Sequence, residues 1–285
     1  MLRFEGFAAS RAAGGPQRLP ALLLLGLLAL ARPLAAAELE VGGPAGSRRL
    51  DSAVLLATPV TRDIDVPDDV AYGRPMRFRA VPLAPLLAAA GFTAADTVEA
   101  VALDGYVAQL PAAALLSDAA DGAQAWLAIE PPDAPWPKLP RGEGTAGPFY
   151  LVWQEPQAGG ITPEQWPFQL AVLRRVAAPA ERWPALNPPA GAGSDAQRGL
   201  AVFVQHCLPC HRLNGAGEAT IGPDLNRPMS PVEYFRPDLL RRYLREPAAL
   251  RTWPGQGMPG FAESVLPAAD LEALLAYLAA MAAAR

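Results

Sequence analysis

Cys207-Leu208-Pro209-Cys210-His211 contains both cysteines of this 285-residue chain and one of its two histidines. Two thiols at this spacing lie on one helical turn, where both can add to the vinyl groups of a single haem. The imidazole that follows then points at the iron from the same side. The stretch reads as covalent c-type haem attachment, with Cys207 and Cys210 as thioether anchors and His211 as the proximal iron ligand. Other uses of a C-x-x-C pair need different surroundings. A thioredoxin-like redox pair needs a βαβ pattern around it, which this segment lacks. A zinc site needs a second pair of soft ligands, and only His206 is left to supply one. A disulfide across three residues closes too short a loop to constrain much.

Haem is joined to such a motif outside the cytoplasm, and the N-terminal sequence agrees. Arg3, Arg11 and Arg18 precede an apolar run from Leu19 to Leu30, and Ala35-Ala36-Ala37 offers small residues for cleavage before Glu38. A secretory signal peptide is expected over residues 1–37, and with it a periplasmic location. The run is closed by Arg32 and Pro33 and is short for a bilayer span, so an uncleaved membrane anchor is the lesser reading.

The whole chain carries a net charge of −4. Residues 38–193 hold 11 basic and 18 acidic side chains, whereas 194–285 hold 9 of each. An acidic first half argues against nucleic acid or an anionic membrane surface as partner. Between the halves, Pro179-Ala180, Trp183-Pro184 and Asn187 to Gly193 form a breaker-rich stretch without periodicity. It is expected as a Pro/Ala/Gly linker over 179–193, separating a domain at 38–178 from one at 194–285.

The second domain is short for a core built of side chains alone, and a buried macrocycle would supply the missing apolar surface. Ser194 or Asp195 is placed to cap a helix running through Gln205. A second helix is expected over 238–245, stopped at Pro247. A third is expected over 267–281, with Leu271, Leu274, Leu275 and Leu278 as its apolar stripe.

With these elements in that order, 194–285 resembles a class I c-type cytochrome of the small bacterial kind. The resemblance implies an all-α domain in which the first and last helices cross, with Gly199 and Phe203 against Tyr277. It implies that Ile221-Gly222-Pro223-Asp224-Leu225 is the turn whose proline carbonyl, on Pro223, accepts the His211 N–H. It also implies that Gly255 to Phe261 is the methionine loop, placing the Met258 thioether on the iron opposite His211. Met229 follows His211 too closely for that role, and Met281 sits in the last helix. Methionine also serves widely as core filler, the plain alternative for Met258. Arg251 and Trp253 are either partners of the haem propionates, as the resemblance suggests, or ordinary surface residues. One covalent haem c with two axial ligands leaves no open coordination position and favours single-electron transfer.

In the first domain, 76–81, 97–103, 125–129, 149–153 and 168–176 read as strands, and 83–90 as a helix ended by Gly91, which makes an α+β domain. Phe78 to Leu87, followed by Ala102-Leu103-Asp104-Gly105-Tyr106 and Leu110-Pro111, is similar to the molybdopterin-binding fold of sulfite oxidases. That family holds molybdenum through a cysteine thiolate, and residues 38–178 contain neither cysteine nor histidine. A molybdopterin centre is therefore not expected, and a non-catalytic relative of the fold is. Gly142 to Gly147 reads as a mobile loop, with an anion cradle the sharper alternative. Glu130 to Lys138 reads as an exposed proline loop on which Trp136 could offer a docking patch.

The expectation is an exported monohaem cytochrome exchanging electrons with a periplasmic dehydrogenase or a terminal electron acceptor, its first domain serving for docking or ligand binding. The alternative is a self-contained oxidoreductase whose first domain feeds electrons to the haem.

Overall fold

Burial on both faces is written into two apolar runs, Gln124–Ile129 and Phe149–Gln154, and they form the centre of the first domain. The computed structural model describes residues 36–119, 121–142, 144–253 and 256–285. The expected signal peptide, apart from Ala36 and Ala37, lies outside the described residues, as do Glu143 and Gly255 of the two glycine loops.

In chain order the first domain runs β1 (Glu38–Gly43), β2 (Gly46–Asp51), α1 (Ser52–Leu56), β3 (Arg62–Val66), β4 (Met76–Pro82), α2 (Leu83–Ala89), β5 (Thr97–Ala102) and β6 (Val107–Pro111). It continues through α3 (Ala112–Leu115), β7 (Gln124–Ile129), β8 (Phe149–Gln154) and β9 (Leu170–Val176). Among the described residues these strands make two sheets, β2-β1-β9-β5-β6 and β3-β4-β7-β8. Pairing is antiparallel except between β1 and β9, which run parallel. The mixed α/β character expected from the sequence is present. Gly91 ends the α2 segment as expected: at φ +84°, its N–H returns to the Ala88 carbonyl.

Trp126, Trp153, Tyr150, Phe78 and Phe149 fill the first core. Trp136 belongs to it as well. Its ring meets Phe78 edge-on at 4.9 Å and 71°, and only 8% of the residue is exposed. The docking patch expected on the proline loop is thus corrected. The Glu130 carboxylate accepts from the Trp136 N–H at 2.7 Å and from Thr145 Oγ1 at 2.9 Å, which draws the loop inward. The anion cradle at Gly142–Gly147 is spent in the same way. The Ala146 N–H donates to Tyr72 Oη and the Gly147 N–H to Thr145 Oγ1.

The expected extended linker is tied down at its start. Residues Pro179–Arg182 form α4 and Pro184–Leu186 a 3-10 turn. Leu186 is fully buried in the second core, and its carbonyl accepts from Tyr277 Oη at 2.7 Å. Proline sets φ without forbidding a turn, so Pro179 and Pro184 each open one.

The second domain contains α5 (Ser194–His206), α6 (Pro231–Tyr234), α7 (Pro237–Arg245), α8 (Pro247–Leu250) and α9 (Ala268–Ala283). The cap of α5 is Gly193, with no side-chain bond from Ser194 or Asp195, because the chain is already helical at Ser194. Helices α5 and α9 cross where Gly199 meets the Ala273 carbonyl and Tyr277; any Cβ on Gly199 would collide with both. Close approach lets Phe203 and Tyr277 pack with ring centroids 5.4 Å apart. Burying two such rings contributes about 3–6 kcal/mol of transfer free energy, set against the entropy of ordering them.

Candidate haem site

The end of α5 delivers the motif. Cys207 caps the helix, and its carbonyl accepts from the N–H of Cys210 at 3.1 Å and of His211 at 2.8 Å. Those two bonds hold Cys207, Cys210 and His211 on one turn. Both cysteines are free, Cys207 buried and Cys210 half-buried. Burial is the main force pushing both thiols up, Cys207 well beyond the usual range and Cys210 to about 12, with the Glu164 carboxylate adding to both. Neither is a ready thiolate, which separates the pair from a thioredoxin-like one.

His211 is held from behind. Its Nδ1 donates to the Pro223 carbonyl at 2.9 Å, so Nε2 is the nitrogen left for a metal. Burial lowers the imidazole's affinity for a second proton, and the Pro223 contact opposes that. Gly222 lies flat against the ring, and a Cβ there would run into it. The turn is itself anchored: the Asp224 carboxylate accepts N–H groups of Asn214, Gly215 and Asn226 at 2.6–3.1 Å. Fully buried Asn226 donates to the Met281 carbonyl of α9 at 2.9 Å. Sequence reading missed Asp224 and Asn226 as the fasteners of this loop.

Met258 is half-buried and packs with the second core. The chain after it is fixed where the Phe261 N–H donates to the Leu244 carbonyl and Arg245 reaches the Phe261 carbonyl, both at 2.9 Å. Arg251 and Trp253 are exposed and pair with each other, the guanidinium carbon 5.4 Å from the ring centre. The donor set fits a haem. Two free thiols and an imidazole share one turn, the imidazole has a free Nε2, and a glycine lies where any side chain would displace its ring.

Residues 196–282 match the family model of cytochrome c. The cytochrome c domain implies covalently bound haem c and suggests electron transfer. The match leaves the sheet domain outside it, and no curated protein matches the chain. Among the described residues no helix is long and apolar enough to cross a membrane.

The sheet domain and the cytochrome c domain belong to one compact unit, and the turn from Cys207 to His211 lies on their seam. The Val107 N–H of β6 donates to the Pro209 carbonyl inside the motif at 3.1 Å. The Thr220 N–H donates to the Gly105 carbonyl at 3.3 Å, and at φ +91° a Cβ on Gly105 would strike Thr220. Tyr106 Oη donates to the Glu164 carbonyl at 2.6 Å, and the Glu164 carboxylate faces His206. The Asp104-Gly105-Tyr106 turn, read from the sequence only as a mark of fold, is where the first domain grips the cytochrome c domain. Further out, Arg174 and Arg182 each bind both Glu99 of β5 and Glu218 of the haem loop. The one sequence signal for that network was a charge inside the apolar strand Thr97–Ala102.

Proposed function

We propose that this chain is an exported monohaem c-type cytochrome that passes single electrons to or from a periplasmic redox partner, a dehydrogenase or a terminal acceptor. The observation that carries it is the turn holding Cys207, Cys210 and His211 together, with His211 Nδ1 bonded to Pro223. A bound haem supplies one-electron chemistry at iron. Cys207 and Cys210 hold it covalently, and Pro223 orients the imidazole and makes Nε2 a better donor. Met258 would supply a further ligand, a soft thioether that favours the ferrous state. A haem held by both His211 and Met258 would suit electron transfer better than activation of a substrate at iron. The basic lead and apolar run before Glu38 support export.

The grip of Gly105 and Val107 on the haem-attachment segment favours a sheet domain that works with the haem, as a docking or ligand-binding module. It equally supports the second reading, a self-contained oxidoreductase in which that domain binds the electron donor. A molybdopterin centre has no cysteine to hold it between residues 38 and 178.

Iron and molybdenum are measured together on protein purified from a periplasmic fraction, with covalent haem assayed after denaturation. One iron, one covalent haem and no molybdenum are expected. The Cys207→Ser/Cys210→Ser variant loses covalent haem. Met258→Ala keeps it but loses the weak long-wavelength band of a sulfur–Fe(III) bond. Undiminished covalent haem in the double serine variant would overturn the assignment.

A further inference from the structure

A cavity of about 450 Å³ opens on the sheet domain's side of the seam. Tyr72, Tyr106, Trp166 and Phe168 line it, and Pro259, the residue after Met258, is its contribution from the cytochrome c domain. None of Cys207, Cys210, His211 or Met258 lines it. It is nonetheless a neighbour of these residues, since Tyr106 lies within electrostatic reach of Cys210.

The walls decide what fits. Tyr72 Oη accepts from the Ala146 N–H, which leaves its own O–H to donate, whereas Tyr106 Oη already donates to the Glu164 carbonyl. What remains for a ligand is the Tyr72 hydroxyl with aromatic and proline surface. The charged groups are Arg141 and Asp104. Arg141 is exposed and makes no ion pair among the described residues. The Asp104 carboxylate, by contrast, already accepts the Tyr106 N–H at 3.0 Å. An apolar aromatic chamber with one unspent cation selects a flat ring system carrying an anionic group. Its volume lies in the range of small-molecule sites and suits a fused bicycle.

We propose that this cavity is a binding site for a planar aromatic anion, held by ring contacts with the four aromatic residues and by Arg141. Its relevance to electron transfer rests on the cytochrome reading above; the binding itself does not.

The full-length haem protein is titrated with 2-naphthoate by calorimetry, and cyclohexanecarboxylate and neutral 2-naphthamide are run beside it. Saturable 1:1 binding of 2-naphthoate is expected, with both comparison compounds about tenfold weaker or more. Arg141→Gln should bring 2-naphthoate down to the level of 2-naphthamide. Val70→Trp, a change at an exposed lining residue, should block the site. Absence of saturable binding overturns the proposal, as does binding that neither variant alters. The haem content of the same sample is read from its absorbance, so a failed cavity and a failed haem assignment give different results.

Discussion

His206 Nδ1 stands 3.1 Å from Glu164 Oε2, the imidazole closing α5 and the carboxylate coming from the sheet domain. Both atoms are buried, and neither has a hydrogen-bond partner among the described residues, so the two face each other as an electrostatic contact. His206 also meets Phe261, three residues past Met258, edge-on at 5.7 Å and 79°. One imidazole therefore touches the sheet domain and the loop that follows Met258 while directly preceding Cys207.

The pair is expected to act as a unit. Glu164→Ala leaves the buried His206 Nδ1 with no polar group facing it and should destabilise the protein by about 1–3 kcal/mol. His206→Ala should cost a similar amount plus the lost packing on Phe261. The double variant should then lose clearly less than the sum of the two. Urea unfolding, followed by tryptophan fluorescence and haem absorbance together, measures this. Strict additivity would show that the two side chains are neighbours without coupling.

Glu99 is the second joint of the seam. Burial alone would raise its pKa, but bonds from Gln109, Arg174 and Arg182 together outweigh that and lower it. A depressed carboxylate contributes stability that is complete above the ordinary glutamate range and is lost as pH falls through the folded-state value. Glu99→Gln should remove that acid-side slope. At neutral pH it should cost about 3 kcal/mol, the low end for opening a buried pair, because Arg174 is half open to water. A variant with the same acid-side slope as the parent would place the network's contribution elsewhere.

Asp69 should respond with the opposite sign. Burial raises its pKa from 3.8 to about 6, only partly offset by the Tyr72 N–H, the Tyr150 hydroxyl and the Ala71 N–H. The folded state therefore binds the proton more tightly than the unfolded chain. Stability falls as pH rises from about 4 to about 6 and then levels, at a cost on the order of 3 kcal/mol. Oδ1 is used by the Tyr72 N–H at 2.8 Å, a bond that Asn keeps, whereas Oδ2 has no hydrogen-bond partner. Asp69→Asn should flatten the fall between pH 4 and 6 and stabilise the protein at pH 7. Unfolding curves at pH 4, 5 and 7 test this, and an unchanged slope would remove Asp69 as its source.

What could be read from the sequence follows the strength of local signals. The turn from Cys207 to His211, the three longer helices of the second domain and the five apolar strands each carry their own pattern within a few residues. Of the strands β1, β2, β3 and β6 that escaped, two are half charged, as in Gly46–Asp51 and Arg62–Val66, and so carry no apolar run. Trp136 looked exposed because prolines surround it. Only Glu130 and Thr145, from either side of it in the chain, show why it turns inward. The seam was least legible of all. Its contacts join residues such as Arg174 and Glu218, 44 positions apart, and no local pattern encodes such a pair.

Two glycines of the cytochrome c domain should fail in different ways when each becomes alanine. Gly199→Ala forces a methyl into the Ala273 carbonyl and Tyr277, so α5 and α9 must separate. A loss of about 1–3 kcal/mol or more is expected from overpacking, with little change in the haem's surroundings. Gly222→Ala forces its methyl into the His211 ring instead. The ring must turn, and the 2.9 Å bond from Nδ1 to the Pro223 carbonyl is lost. Covalent attachment through Cys207 and Cys210 should survive, since neither thiol depends on that bond. The imidazole becomes a poorer donor without its carbonyl partner, so the ferric state is less well stabilised and the midpoint potential rises. Potentiometry on the two variants separates the roles. A raised potential in Gly222→Ala with a near-parental one in Gly199→Ala fits the site described. Equal shifts in both would mean that Gly222 acts through packing, not through the orientation of His211.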